Sequence, residues 1–99
     1  MSIEEYTKQV PGENRGEVLI FALSTCGWCR KTKSLLGELG VAYSYIDVDL
    51  LFGDAKNKVV KELDRWNPSR SFPTLVIGSK GIVGYQEQKV REALGHGGS

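Results

Sequence analysis

The chain has only two cysteines, one histidine and no excess of charge of either sign. Two cysteines make at most one bridge, so a disulfide-stapled scaffold is excluded, and 99 residues are enough to bury a core without one. A structural zinc site takes about four ligands. The one further candidate is His96, in the glycine-rich stretch Gly95-His96-Gly97-Gly98-Ser99, so zinc is not expected. The 13 basic and 12 acidic side chains leave a formal net charge of +1, which gives no electrostatic reason to expect nucleic acid or an anionic membrane as a partner. No apolar run approaches the roughly 20 residues needed to span a bilayer. Met1-Ser2-Ile3-Glu4-Glu5 has neither the basic start nor the apolar core of a secretory leader, and a cytoplasmic location is the expectation. There is no internal repeat and no linker, and the length suits one domain.

What is present reads as alternating strands and helices. Residues 1–16 are polar and contain Pro11-Gly12 and Gly16, so an irregular lead-in is expected, with Ser2 and Glu5 as a weak capping box. Val18-Leu19-Ile20-Phe21-Ala22-Leu23 is a continuous apolar run of strand length, suited to burial on both faces. After the cysteines, Thr32, Leu35, Leu36 and Leu39 fall on one helical face, and Gly40 is placed to end that helix. Val41 to Val48 alternates as a second strand. The stripe Val59, Val60, Leu63 and Trp66 marks a second helix, with Asp54 as its expected N-cap and Asn67-Pro68 as its stop. Thr74 to Ile77, a turn at Gly78-Ser79-Lys80-Gly81 and Ile82-Val83-Gly84 form a hairpin, and Glu87 to Leu94 a last helix with Val90, Ala93 and Leu94 on one side. The order β-α-β-α-β-β-α predicts an α/β domain over residues 17–95: a four-stranded mixed sheet flanked by three helices, with its βαβ strands parallel. Residues 96–99 are expected to be a flexible tail.

The chemistry-bearing feature is Cys26-Gly27-Trp28-Cys29, set between the first strand and the first helix. A C-x-x-C beside a βαβ pattern in a cytosolic protein reads as a redox motif. A cysteine that opens a helix meets unpartnered backbone N–H groups and the positive end of the helix dipole, both of which favour thiolate. Arg30, Lys31 and Lys33 add positive charge nearby. Cys26, the first and more exposed, is therefore the expected attacking thiol, and Cys29, one turn further in, its resolving partner. Two buried inert cysteines are the plain alternative, which does not explain why both stand at a helix start. Trp28 is expected on the surface as a contact for partner proteins, and Trp66 in the core.

With Cys26-Gly27-Trp28-Cys29, Phe72-Pro73-Thr74 and Val83-Gly84-Tyr85 in this order, the chain closely resembles the glutaredoxin family over residues 17–95. The resemblance implies a thioredoxin-like fold and a thiol–disulfide oxidoreductase. It implies a cis Pro73 beside Cys26, with the backbone of Phe72 pairing with an extended thiol substrate as a short added strand. Phe72, Pro73 and Thr74 would shape the substrate groove and Gly84 allow close approach, while Gly27, Trp28, Tyr85 and Glu87 complete the expected substrate-binding set. Two positions depart from the family pattern. Leu23 stands where a basic residue is usual, and Val83 where a Gly-Gly pair begins; Arg65 and Arg70 are the candidates to meet a glutathione carboxylate instead. Both departures are similar to the glutaredoxin-like redoxins that deliver electrons to ribonucleotide reductase and draw them from thioredoxin reductase. The implied partners are disulfide-containing proteins and a reductase, either thioredoxin reductase or the glutathione system. A monomer is expected, with no tightly bound cofactor and glutathione as co-substrate. The reading from a different class is iron–sulfur carriage by a dimer that uses Cys26 and glutathione; the complete cysteine pair weighs against it.

Overall fold

The central strand is the apolar run. In the computed structural model, which describes residues 3–95, β2 (Val18–Ala22) lies in the middle of the sheet, with Ile20, Phe21 and Ala22 shut off from solvent. Successive strand side chains point to opposite faces, so Val18, Ile20 and Ala22 enter one core cluster and Phe21 enters the other. β3 (Tyr43–Asp47) runs parallel to β2, with Ile20 opposite Tyr45 and Ala22 opposite Asp47, and α1 (Gly27–Glu38) makes the crossover between them. On the other side β4 (Thr74–Ile77) pairs antiparallel with β2, Phe21 facing Thr74, and β5 (Lys80–Val83) completes the hairpin.

The two faces bury different helices. The cluster around Ile20 takes Cys29, Leu35 and Leu36 from α1, and Val90 with Leu94 from α3 (Glu87–Ala93) and its cap. The cluster around Phe21 takes Val59 and Leu63 from α2 (Gly53–Trp66), against which Val60 and Trp66 also pack. Gly81 lies close under this packing, since a Cβ there would come 3.3 Å from the Trp66 ring. Among the described residues, no helix is long and apolar enough to cross a membrane.

Three local expectations are corrected. The sheet has five strands rather than four, in the order β1-β3-β2-β4-β5. The extra one, β1 (Lys8–Val10), comes from the lead-in read as irregular and pairs antiparallel with β3, Lys8 facing Tyr45 and Val10 facing Tyr43. As a three-residue edge strand it is held by its ladder rather than by burial, so Lys8 and Gln9 stay exposed and no hydrophobic alternation marks it. Ahead of it, Ile3 is only 2% exposed and packs with Phe21. Asp54 is not the cap of α2. The helix starts two residues earlier than an Asp54 cap implies, with Phe52 at the N-cap position and no side-chain cap, and Asp54 sits in the first turn, where its charge faces the positive end of the dipole. At the N-terminus a 3-10 turn spans Glu4–Tyr6 without a side-chain cap; Ser2 of the expected box, and the expected tail at 96–99 with His96, lie outside the described residues.

Candidate active site

β2 and β3 are parallel and β4 antiparallel to both, so the chain leaves β2 toward Cys26 at the same end of the sheet where it enters β4 from Phe72-Pro73. Phe21 opposite Thr74 sets the register that brings the two segments together. Cys26 is the N-cap of α1, in an extended conformation, and its Sγ accepts a hydrogen bond from the Cys29 backbone N–H at 3.2 Å. The sulfur thus occupies the place of a capping oxygen and accepts from an N–H that the helix itself cannot satisfy. Cys26 is half-buried and Cys29 only 1% exposed.

Burial, followed by the hydrogen bond to Cys26, pushes the Cys29 thiol up to about 12; the Leu23 backbone and the Lys33 charge pull the other way more weakly. Cys29 continues the apolar stripe of α1, in line with the buried Thr32, Leu35 and Leu36. The two thiols therefore differ by environment: one at the rim, one roofed by the core.

The loop before Cys26 is tied down by a residue the sequence reading passed over. Asp49 accepts from the Ser24 backbone N–H at 2.8 Å and from its hydroxyl at 2.6 Å. These two bonds hold the Asp49 carboxyl below the usual range. The residues are 25 apart in the chain and meet only because β3 lies alongside β2. Lys33, one turn beyond Cys29, reaches Asp47 at 3.4 Å and lies 4.0 Å over the Tyr45 ring.

Opposite Cys26, the Phe72–Pro73 peptide bond is cis. The Gly84 N–H donates to the Pro73 carbonyl at 2.8 Å, and Gly84 has φ +82°, a region that side-chain-bearing residues avoid. The approach to this bond is fixed from within by Asn67. Its amide nitrogen donates to Ser71 and, at 3.0 Å, to the Thr74 hydroxyl. Thr74 is itself fully buried and donates to the Ser71 carbonyl at 2.9 Å, so its side chain braces the turn from inside.

On the outer side, Trp28 is 57% exposed and stacks on Tyr85 with centroids 5.8 Å apart. Glu87 opens α3, exposed and paired with Arg91 at 2.7 Å. Gly27 is exposed beside Cys26, with open space where a Cβ would stand. The two arginines considered for a carboxylate are engaged locally: Arg65 with Glu62 at 3.2 Å, and Arg70, at φ 55°, with both oxygens of Asp64 at 2.6 and 2.8 Å. Leu23 and Val83 stand where expected, Leu23 half-buried and Val83 exposed at the end of β5.

The chain is similar to known proteins in sequence and fold. The family model described as Glutaredoxin matches residues 18–82. A glutaredoxin of Ricinus communis is 27% identical over 89 residues, 90% of this chain and 83% of its own length. The solved glutaredoxin of Methanosarcina mazei Go1 superposes with a TM-score of 0.84 at 48% identity, covering 91% of this chain and 88% of that one. Methanosarcina acetivorans methanoredoxin gives 0.81 at 49% identity, over 85% and 90% of the two chains. A buckwheat glutaredoxin solved as a glutathione complex gives 0.61 at 26% identity, over 81% and 71%. With Cys26 capping the helix that carries Cys29, and a cis Phe72–Pro73 step, the chain belongs to the glutaredoxin family, within the thioredoxin-like superfamily.

Proposed function

We propose that this chain reduces disulfides through a dithiol cycle in which Cys26 attacks and Cys29 resolves. Members of the family are thiol–disulfide oxidoreductases. The observation that carries the assignment of roles is the asymmetry of the pair: Cys26 at the rim with its sulfur on an open N–H, Cys29 buried with its thiol kept protonated. In the first step the Cys26 thiolate attacks one sulfur of the substrate disulfide, forms a mixed disulfide and expels the other sulfur as a thiolate, which takes a proton from water. In the second, Cys29 gives up its proton and attacks Cys26 Sγ. The remaining substrate thiolate leaves, and an internal disulfide closes. The substrate gains two electrons and two protons; the electrons come from the Cys26 thiolate and Cys29 thiol, one proton from Cys29 and the other from water. A two-electron thiol donor, glutathione or a reductase dithiol, reopens the bridge.

The substrate lies along Phe72 in this reading. Neither the N–H nor the C=O of Phe72 makes a hydrogen bond among the described residues, which supports pairing with an extended segment laid beside it. Gly84 then leaves room for that segment's backbone, and Trp28, Tyr85 and Glu87 border it.

The test is insulin disulfide reduction with two donor systems, NADPH with thioredoxin reductase and NADPH with glutathione and glutathione reductase. Turnover with either is expected, together with loss of turnover in Cys26→Ser and accumulation of mixed disulfides in Cys29→Ser. Sustained reduction of protein disulfides by Cys29→Ser would overturn the dithiol scheme. Turnover only with thioredoxin reductase makes Leu23 and Val83 meaningful losses of glutathione contacts; turnover only with glutathione makes them tolerated changes.

A further inference from the structure

The large apolar side chains that face solvent among the described residues are Trp28, Leu50, Phe52 and Val83. A soluble protein scatters such residues singly, and a contiguous exposed group marks a contact surface. Here they gather at one end. Trp28 follows Cys26, and Val83, opposite Thr74, ends β5 where Phe72-Pro73 enters β4. Leu50 and Phe52 follow Asp49, which is bonded to Ser24 two residues before Cys26. Three residues of chain reach at most about 10 Å, so Phe52 stays close to that loop. It is 84% exposed.

These side chains also stand on both sides of the sheet. Trp28 belongs to the layer of α1 and α3, Phe52 caps α2 on the opposite face, and Phe72 packs against both core clusters between them. Helical layers on the two faces of one sheet lie roughly 20 Å apart, whereas a tripeptide reaches at most about 10 Å. A single tripeptide therefore meets one arm of this surface but not both, whereas a longer polypeptide segment spans them.

Charge distinguishes the two arms. The first turn of α1 has no acidic residue, and Arg30 and Lys31 are exposed without an ion pair among the described residues. Lys31 instead lies 4.8 Å over the Trp28 ring.

We propose that the two arms form one docking surface for the polypeptide around a substrate disulfide. It fits an extended segment with a large apolar side chain near its cysteine, on the flank that meets Phe52 and Leu50, and acidic side chains on the flank that meets α1. The inference rests on the dithiol reading and adds the class of substrate. Cys26 lies between the arms, so any protein disulfide that reaches it brings its flanking residues onto them.

The experiment follows the oxidation of reduced protein in single-turnover mixing, with no reductase present. The probes are hydroxyethyl disulfide and three synthetic peptides with an internal disulfide and flanks Phe/Asp, Ser/Asp or Phe/Lys on the two sides. The Phe/Asp peptide is expected to react about tenfold faster than Ser/Asp, the size of one buried aromatic contact. Its advantage over Phe/Lys is expected to shrink as salt is raised. Phe52→Ser, and independently Leu50→Ser, should cut the Phe-over-Ser preference to roughly threefold or less. Lys58→Ser, exposed further along α2, should keep it. Peptide rates equal within twofold, or a preference that both apolar variants retain, would overturn the docking surface. Failure of hydroxyethyl disulfide as well as the peptides would instead bring down the dithiol reading, and the surface with it.

Discussion

At the residue scale, the proposed chemistry uses two thiols of the same type held in different surroundings. The means is ordinary: an N-cap position for one, an apolar stripe for the other. This has a consequence for stability. Burial raises the Cys29 thiol from its unfolded value near 9.0 to about 12 in the folded reduced protein, so the folded state binds the proton more tightly than the unfolded one. Its contribution is fully present below about pH 9 and is lost as pH rises toward 12. Urea titrations of the reduced protein at a series of alkaline pH values should show stability falling faster than in Cys29→Ser, by up to about 1.4 kcal/mol per pH unit in that window. Parallel pH profiles for the two would show that the buried thiol is not held protonated by the fold.

At the element scale, short polar contacts place the reactive loop and the lead-in. Asp49 joins the turn after β3 to the loop after β2 through both bonds to Ser24. Asp49→Ala should lower stability by about 1 kcal/mol, the net worth of such bonds near the surface, and slow the first attack by Cys26 more than the resolving step. Separate rates for mixed-disulfide formation and release, measured with a chromogenic disulfide, decide this; equal slowing of both would assign Asp49 a general stabilising role. Gly12 does comparable work for the lead-in. A Cβ there would come 2.6 Å from the Val41 carbonyl carbon, where Glu13 bonds across to Gly40 and Ala42. Gly12→Ala should therefore destabilise by roughly 1–3 kcal/mol through backbone displacement, read as a lower urea midpoint; an unchanged midpoint would show that the segment yields at little cost.

At the scale of the whole molecule, one sheet separates two cores and carries the site at one end. The second core is closed in part by the lead-in. Ile3, buried against Phe21, Ile46 and Val59, is a core residue despite its polar neighbours. Ile3→Ala should cost about 2–4 kcal/mol. A loss under about 1 kcal/mol, as a surface position would show, would mean that the lead-in is only loosely attached. The cost should appear as lost stability with little change in the thiol chemistry, because Ile3 packs in the cluster that excludes Cys29.

Strong local periodicity and a dense motif were legible in the chain itself. The run from Val18, the stripes of the three helices and the hairpin, with its turn expected at Gly78-Ser79-Lys80-Gly81 and narrowed by the structure because β5 begins at Lys80, are patterns of apolar burial, which depend on neighbours a few residues away. The position of Cys26 before a helix is equally local, and it is what nominates Cys26 as the proposed attacking thiol. The tertiary structure decided everything that needs two distant segments at once. β1 has no apolar alternation and exists through its ladder to β3, so only pairing reveals it. Asp49 and Ser24 are an ordinary acid and an ordinary hydroxyl until the parallel strands bring them together. Asn67 and Thr74 read as turn and strand residues, yet both are buried to brace the approach to Pro73. Trp28 and Phe52 flank the reactive loop from opposite faces of the sheet, a relation set by topology rather than by spacing. Short-range periodicity records what each segment must bury, while long-range contacts depend on register and strand order, which neighbouring residues do not encode.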